Sequence, residues 1–276
     1  MNSIKWLLAV ASAAMLSAPA FAERPNDRFW AIGGAFFTTS NSNLRLDNVA
    51  LGSIGTTVDL ETDIGLPVHK TLPYGLAGLR LGKAFRIEGE YFKLNRTGNR
   101  SLDKSITIGD TTFNAQANVA GLLESTTYRV AVGYSPLLTD KAEAGVALGF
   151  HITDFRVQFI GAGSVSSGSG IVTSALAAEE RSQLAPLPTI SGYGTYALSP
   201  VFALHGRADW LSLKIGDYSG SLVELQGNVT ARVIKNVGIG GGYRYTNYVF
   251  KAHKNDFSGR LQYEFRGPVV FLEVAF

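Results

Sequence analysis

Apolar and polar side chains alternate along most of the chain after residue 22, which is the period-two pattern of β-strands. In the segment 221–233, the odd positions from 223 onward are apolar or glycine, and the even positions from 224 onward are polar. The segments 85–95, 141–153, 201–213 and 237–247 alternate in the same way, and most of their polar faces carry charges in mid-strand. The sequence therefore predicts an all-β protein whose sheet has one apolar and one polar face.

The segments are joined alternately by short turns and by longer loops. The short junctions are residues 82–84, 135–140, 199–200 and 234–236, and the longer ones are residues 40–70, 96–115, 154–186, 214–220 and 250–258. This layout is typical of outer-membrane barrels. Only closed barrels and helices satisfy every backbone hydrogen bond in lipid, and no later apolar run approaches the roughly 18–20 residues of a spanning helix. The chain is predicted to form a closed antiparallel transmembrane β-barrel.

The number of strands depends on the dipeptide Gly267-Pro268. The apolar positions are odd up to Phe265 and even from Val270 onward. A β-bulge shifts the phase in this way and tolerates proline, so we interpret 259–276 as one bulged strand. The total is then ten, whereas a turn at this dipeptide would give eleven, an odd number that bacterial single-chain barrels avoid. Twelve strands would require a further hairpin within the first long loop, and eight is the remaining alternative.

Residues 1–22 have the composition of a secretory signal peptide. A single lysine precedes the apolar core Trp6–Leu16, and the segment ends in an Ala-x-Ala pattern formed by Ala20 and Ala22. These features predict cleavage after Ala22 and export of the remaining chain. We therefore expect residues 23–276 to form one barrel domain.

The end of the chain and several short stretches resemble known proteins. Val270, Leu272, Val274 and Phe276 alternate up to a terminal phenylalanine, which resembles the segment by which the barrel-assembly machinery recognises its clients. Residues 109–113, 151–154 and 215–218 resemble a proteobacterial group within the small outer-membrane barrels of the OmpA/OmpW type. This resemblance covers nearly everything after residue 22. It implies an outer-membrane location in a Gram-negative bacterium, with outer-membrane lipid and lipopolysaccharide as partners, and it carries over no catalytic residues.

The composition excludes several classes of chemistry. The 276 residues include no cysteine, which rules out disulfides, thiolate metal sites and cysteine nucleophiles. The formal net charge is only +3, which argues against a nucleic-acid partner. His69 and His253 lie in or beside loops and show no metal-ligand cluster, so we expect neither a metal nor a cofactor.

Strand phase predicts a charged barrel interior. The residues assigned to this network are Arg80, Glu88, Glu90, Arg129, Glu143, His151, Arg207, Asp209, Glu224, Arg232, Arg244, Arg260 and Glu264, with Arg86 and Arg266 on the same phase. Because the two signs nearly balance, we interpret the network as a polar plug of bridged charges. The alternative is a narrow channel for the passive passage of small polar solutes.

The sequence does not favour an enzyme. His151 and Asp154 do not share a strand face, and His205, which shares one with Asp209, lies near the short-turn end. The Gly/Ser-rich segment 161–170 is predicted to be a flexible loop, with no serine at a meaningful spacing from a histidine. An envelope or passage role is therefore preferred to surface binding through the long loops, and both to an enzyme such as a lipid A hydrolase.

The sequence is compatible with two structures for one further segment. Residues 175–184 contain strong helix formers behind Thr173 and Ser174, which are suitable N-caps. The segment is interpreted either as a short helix at the barrel mouth or as part of an extended outer loop.

Overall fold

The computed structural model describes residues 27–50, 52, 54–108, 111–167, 170–255 and 257–276, with the backbone alone at 162–186 and 215. The predicted signal peptide, with Ala20 and Ala22, lies outside the described residues. Cleavage after Ala22 and the domain boundary at residue 23 therefore stay predictions. Within the described residues, no helix is both long and apolar enough to cross a membrane.

Thirteen strands are present in the described residues. They are β1 (Phe29–Asn48), β2 (Val58–Asp59), β3 (His69–Leu81), β4 (Phe85–Ser101), β5 (Ile106–Ile108), β6 (Thr111–Phe113), β7 (Asn118–Leu138), β8 (Ala142–Ser167), β9 (Gly170–Ala197), β10 (Phe202–Ile215), β11 (Tyr218–Ile234), β12 (Val237–His253) and β13 (Phe257–Ala275). The ten long strands pair antiparallel with their neighbours along the chain, and β13 pairs with β1. This closes the ring and confirms the predicted ten-stranded barrel.

An apolar belt surrounds the half of the barrel that carries the short turns. On β8 the outward-facing side chains of Val146, Leu148 and Phe150 are 58%, 67% and 52% exposed. Aromatic pairs on β4 and β7 mark both edges of the belt. At the lower edge, next to the short turns, the ring centroids of Phe85 and Tyr134 are 5.3 Å apart. At the upper edge, toward the long connections, those of Tyr91 and Tyr128 are 5.2 Å apart. Two such girdles are characteristic of transmembrane barrels.

The strands continue well beyond the upper girdle. β8 and β9 stay paired from Ala142↔Tyr196 up to Ser167↔Gly170, with one register shift near residue 164. The flexible loop predicted for residues 161–170 and the helical alternative for residues 175–184 are therefore wrong. The ladder between the two strands runs through residues 175–184, and this pairing overrides the local helix propensity.

β13 crosses the upper girdle as one strand without a bulge. Its register with β12 is unbroken through Tyr245↔Arg266, Arg244↔Gly267 and Tyr243↔Pro268. The single long strand is confirmed, but the predicted bulge is wrong. Glycine is required at position 267 because a Cβ there would collide with the carbonyl oxygen of Phe37.

Above the upper girdle, the outer face of the wall becomes polar and the inner face becomes apolar. Phe265 points inward and is completely buried, whereas its neighbour Arg266 is exposed on the outer surface. Above the belt the wall is surrounded by water, so polar side chains face outward and apolar ones pack inside. The apparent phase shift in the sequence reflects this change of environment, with the strand phase unchanged.

Two long connections fold back over the upper end of the barrel. In the connection between β1 and β3, Leu60, Ile64 and Leu66 are buried, and the Ile64 side chain lies against the inward-facing Gly121 of β7. Arg96 of β4 forms an ion pair with Glu61 of this connection. The connection between β4 and β7 contains the β5–β6 hairpin, which pairs with β8.

The belt predicts a position-dependent effect of added charge. Leu148 is near the middle of the belt, so Leu148→Arg should lower the free energy of unfolding in phospholipid vesicles by about 2–4 kcal/mol. Ser212→Arg, placed just above Trp210 on the polar outer wall, should change it by less than about 1 kcal/mol. Denaturant unfolding monitored by tryptophan fluorescence measures both, and equal effects would contradict the position of the belt.

Candidate functional site in the barrel interior

A layer of paired charges fills the barrel at the height of the apolar belt. Five arginines and five carboxylates, contributed by seven strands, form this ionic layer, and all are buried or nearly so. The members are Arg80, Arg86, Arg129, Arg207, Arg244, Glu88, Glu90, Glu143, Asp209 and Glu224. Strand alternation places them inside, because every second side chain on these strands points into the lumen.

The centre of the ionic layer is organised around Arg207 and Arg244. Arg207 lies 2.8 Å from Glu90 and 2.9 Å from Asp209, and it also contacts Glu224. Arg244 donates to Glu224 at 2.8 Å and to Glu90. Each guanidinium therefore bridges carboxylates from different strands, which ties opposite parts of the wall together across the lumen.

A second group of pairs lies closer to the short-turn end. Arg80 donates to both carboxylate oxygens of Glu143, at 3.0 and 2.9 Å. The guanidinium of Arg86 pairs with Glu88 and Glu143 and lies 5.0 Å from the ring centroid of Trp30 and 4.0 Å from that of Tyr193. Such bidentate and aromatic contacts hold arginines in fixed positions.

His151 lies next to this network. Its Nδ1 atom is 3.4 Å from the Thr189 hydroxyl and its Nε2 atom is 3.9 Å from Glu224. His151, Asp209 and Glu224 bring potential metal ligands within 4.8 Å of one another. Nitrogen and carboxylate donors suit Zn²⁺, but arginines already bind both carboxylates, and a cation would have to displace them. The donor set fits an ionic network better than a metal site.

An apolar layer packs inside the lumen immediately above the ionic layer. It consists of the buried side chains Phe36, Phe92, Phe155, Tyr248, Tyr263 and Phe265. The ring centroids of Tyr263 and Phe265 are 4.9 Å apart, and Phe36 and Phe92 each lie 5.8 Å from Phe265. The guanidinium of Arg244 lies 4.7 Å from the centroid of Phe92, so the two layers are in contact.

A small cavity remains between the ionic layer and the short-turn end. It has a volume of about 110 Å³, and Trp30, Arg86, Tyr193 and Glu273 are among its lining residues. Pockets that hold drug-sized ligands are typically about 300–1,000 Å³. The cavity is much smaller than this and has room for a few water molecules.

Most of the residues that the sequence assigns to the interior network lie inside the barrel, and Arg232 lies at the edge of the network. Arg232 is near the short-turn end, 2.7 Å from Asp27 and 3.9 Å from Glu273. Arg260, Glu264 and Arg266 are placed differently, on the outer wall. Their assignment to the interior is wrong, because the predicted phase shift does not occur and charged side chains face water above the belt.

Two further buried charged residues belong to the interior, and strand phase indicates only one of them. Arg96 is fully buried and donates to Glu61 and Ser42, and its even position continues the inward phase of Glu88 and Glu90. The strand predicted from the sequence, 85–95, ends one residue before it. Glu61 lies in a connection that carries no periodic signal, and only the fold brings it to Arg96.

The residues considered for catalysis are not assembled into a site. His151 is buried inside the barrel, whereas Asp154 is exposed on the outer wall, so the wall separates them. His205 lies near the short-turn end with Nδ1 3.1 Å from the Thr195 hydroxyl. The absence of enzymatic activity stays a prediction. Val270, Leu272, Val274 and Phe276 lie on the outward phase of the last strand, and their role in barrel assembly likewise stays a prediction.

No protein-family model matches the sequence, and no curated protein matches it. Among solved structures, the chain is similar to the outer membrane protease OmpT from Escherichia coli, with a TM-score of 0.57 and 15% identity over 92% of this chain and 98% of that one. Ail of Yersinia pestis gives a TM-score of 0.34 at 8% identity, covering 89% and 99% of the two chains. The Pseudomonas putida toluene transporter TodX gives 0.36 at 9%, covering 96% and 94%. The similarity shows the fold, and the chain is a small outer-membrane β-barrel protein.

The ionic layer predicts that removal of one member is costly. Arg244→Met should lower the free energy of unfolding by about 3–5 kcal/mol, because Glu90 and Glu224 then remain buried with an uncompensated charge. Lys214→Met removes an exposed charge from the outer wall and should change it by less than about 0.5 kcal/mol. Urea unfolding of the refolded barrels in detergent measures both values, and a similar small loss in each would refute a tightly coupled interior.

Proposed function

We propose that this protein is a closed structural barrel of the outer membrane, which spans the bilayer and presents a tall wall at the cell surface. The observation that carries the proposal is the stacking of two different layers in one lumen. The ionic layer fills the barrel within the membrane, and the apolar layer fills it immediately above. Passage of polar solutes, the other role expected from the sequence, would require both layers to open.

The ionic layer opposes passage because its charges are held by several partners at once. Arg207 contacts Glu90, Asp209 and Glu224, so a solute must separate more than one buried pair to pass. Leaving a single buried charge without its partner typically costs about 3–5 kcal/mol. These pairs therefore favour cohesion of the wall over a water-filled path.

The apolar layer opposes passage in a different way. A polar solute that crossed the ionic layer would next meet the packed rings of Phe36, Phe265 and Tyr263, where it finds few hydrogen-bond partners. Desolvation of a polar group in such surroundings costs about 2–7 kcal/mol. The two layers thus act in series, and loss of one leaves the other in place.

Planar-bilayer recording of the refolded mature protein tests this proposal. We expect no steady conductance steps from the wild type, and none from a variant in which Arg207, Arg244, Glu90 and Glu224 are all replaced by serine, because the apolar layer remains. A general porin reconstituted in the same bilayers provides the positive control. Steady openings of the correctly folded wild type would favour the solute channel and contradict the proposal.

A second candidate function is surface recognition, which the β8–β9 hairpin favours. β8 extends about 14 residues past the upper girdle, which corresponds to roughly 45 Å along the strand. β9 pairs with β10 only up to Ile190, so its upper part is paired with β8 alone among the ring strands. Pro186 and Pro188, which cannot donate backbone hydrogen bonds, explain why the ladder with β10 ends there.

Removal of residues 160–184 tests this second candidate. If the hairpin recognises host surfaces, bacteria that express the shortened protein should adhere several-fold less to an epithelial-cell monolayer than bacteria with the full chain. The shortened barrel should still fold, as judged by its resistance to sodium dodecyl sulfate before heating. Unchanged adhesion with the same amount of folded protein at the surface would remove this candidate.

A further inference from the structure

Three basic residues lie side by side on the outer wall above the membrane belt. Arg45 of β1 is directly opposite Arg260 of β13, and Arg260 is directly opposite Lys251 of β12. All three occupy outward-facing positions, and on the far side of Lys251 the next position in the row is Ser219 of β11. We call Arg45, Lys251 and Arg260 the basic row.

The basic row carries more positive charge than its surroundings neutralise. Arg45 pairs with Asp47 at 2.9 Å, and that carboxylate also accepts a hydrogen bond from the Gly55 backbone. Arg260 donates to the neutral side chain of Gln262 at 3.0 Å, and among the described residues the Lys251 side chain has no hydrogen-bond or ion-pair partner. Within the part of the chain that the structure describes, these two adjacent cations form no ion pair with a carboxylate.

The carboxylates near the row do not change this balance. In the adjoining rows on β1, β12 and β13, Asp47 is the one acidic residue of the described chain. On the β11 side, the exposed Asp217 lies opposite His253, and within the described residues its side chain forms no ion pair with Lys251. Asp59 lies beside Asn43 on the other edge of β1, where its side chain accepts hydrogen bonds from the backbone of Glu61 and Thr62. Like charges directly opposite each other destabilise a sheet, so the row is electrostatically unfavourable without an anion.

The height of the basic row restricts the kind of anion that reaches it. Arg266 lies beside Tyr245 at the upper edge of the belt, and Arg260 is six positions farther along β13. This separation is about 20 Å along the strand and about 15 Å along the membrane normal for a tilt of about 40°. Glycerophospholipid headgroups extend only about 5–8 Å beyond the hydrocarbon core. An anionic group on a lipid that carries a longer polar part is needed.

We propose that the basic row binds phosphate groups on the saccharide of lipopolysaccharide in the outer leaflet. Two guanidinium groups and one ammonium group supply charge-assisted hydrogen bonds to phosphate oxygens, and the Ser219 hydroxyl lies next in line for the sugar. The site belongs to the outer wall, so it depends on the outer-membrane location and not on whether the lumen is closed. The inference therefore holds whether or not the barrel conducts ions in the planar-bilayer experiment.

The test compares binding of two forms of one ligand to the refolded full mature barrel in detergent. The probes are purified phosphorylated lipopolysaccharide and the same preparation after chemical dephosphorylation, titrated at constant ionic strength and followed by thermophoresis of labelled protein. The test variant carries Arg45→Gln, Lys251→Gln and Arg260→Gln. The control variant carries Lys93→Gln, Arg156→Gln and Lys214→Gln, which removes the same charge from other outward-facing positions above the belt.

The wild type and the control should bind the phosphorylated form at least about tenfold more tightly than the dephosphorylated form, and the test variant should lose this preference. Without ligand, the Tm of the test variant should equal or exceed that of the wild type, because repulsion within the row is removed. An equal loss of affinity in the control would show a general charge effect and overturn the inference. If inorganic phosphate alone bound the wild type as tightly as the phosphorylated lipopolysaccharide does, the row would be a site for free phosphate, and this result would also overturn the inference.

Discussion

The requirement that every backbone polar group find a partner inside lipid determines the rest of this structure. The sheet meets that requirement by pairing β13 with β1 along most of their lengths, and ring closure then fixes which side chains face inward. Because the outer face must be apolar at membrane height, the polar side chains of the same strands collect in the lumen. They are stable there only as pairs, which is why Arg207 and Arg244 each bridge carboxylates from different strands.

The same strands serve two environments without changing phase. Within the belt, lipid favours residues such as Val270 outside and Glu273 inside, whereas above it water favours Arg266 outside and Phe265 inside. The ladder with β12 is continuous across this boundary, and the register with β1 is the same on both sides of it, so the exchange depends on the surroundings and not on the backbone. The lumen consequently contains an ionic layer at membrane height and an apolar layer above, and the outer wall carries exposed charges.

The sequence predicts the belt well because lipid imposes a strict rule on every second residue. The phase of Glu224, Arg244 and Glu143 could be assigned from their apolar neighbours, and each lies in the lumen. The rule fails where lipid ends, since alternation alone does not tell which face is inside. Arg260 and Glu264 were misplaced for this reason. The fully buried Arg96 and its partner Glu61 were missed because their contact depends on a connection that folds back into the barrel.

Accessibility of single cysteines across the upper girdle tests the exchange of faces most directly, and the chain contains no cysteine that would give background. A membrane-impermeant maleimide is applied to the refolded barrel in vesicles after Glu264→Cys or Phe265→Cys substitution, with Val270→Cys as the lipid-facing reference. If the faces are exchanged as described, labelling should be rapid at position 264 and slow at positions 265 and 270. Rapid labelling at position 265 together with protection at position 264 would contradict this exchange.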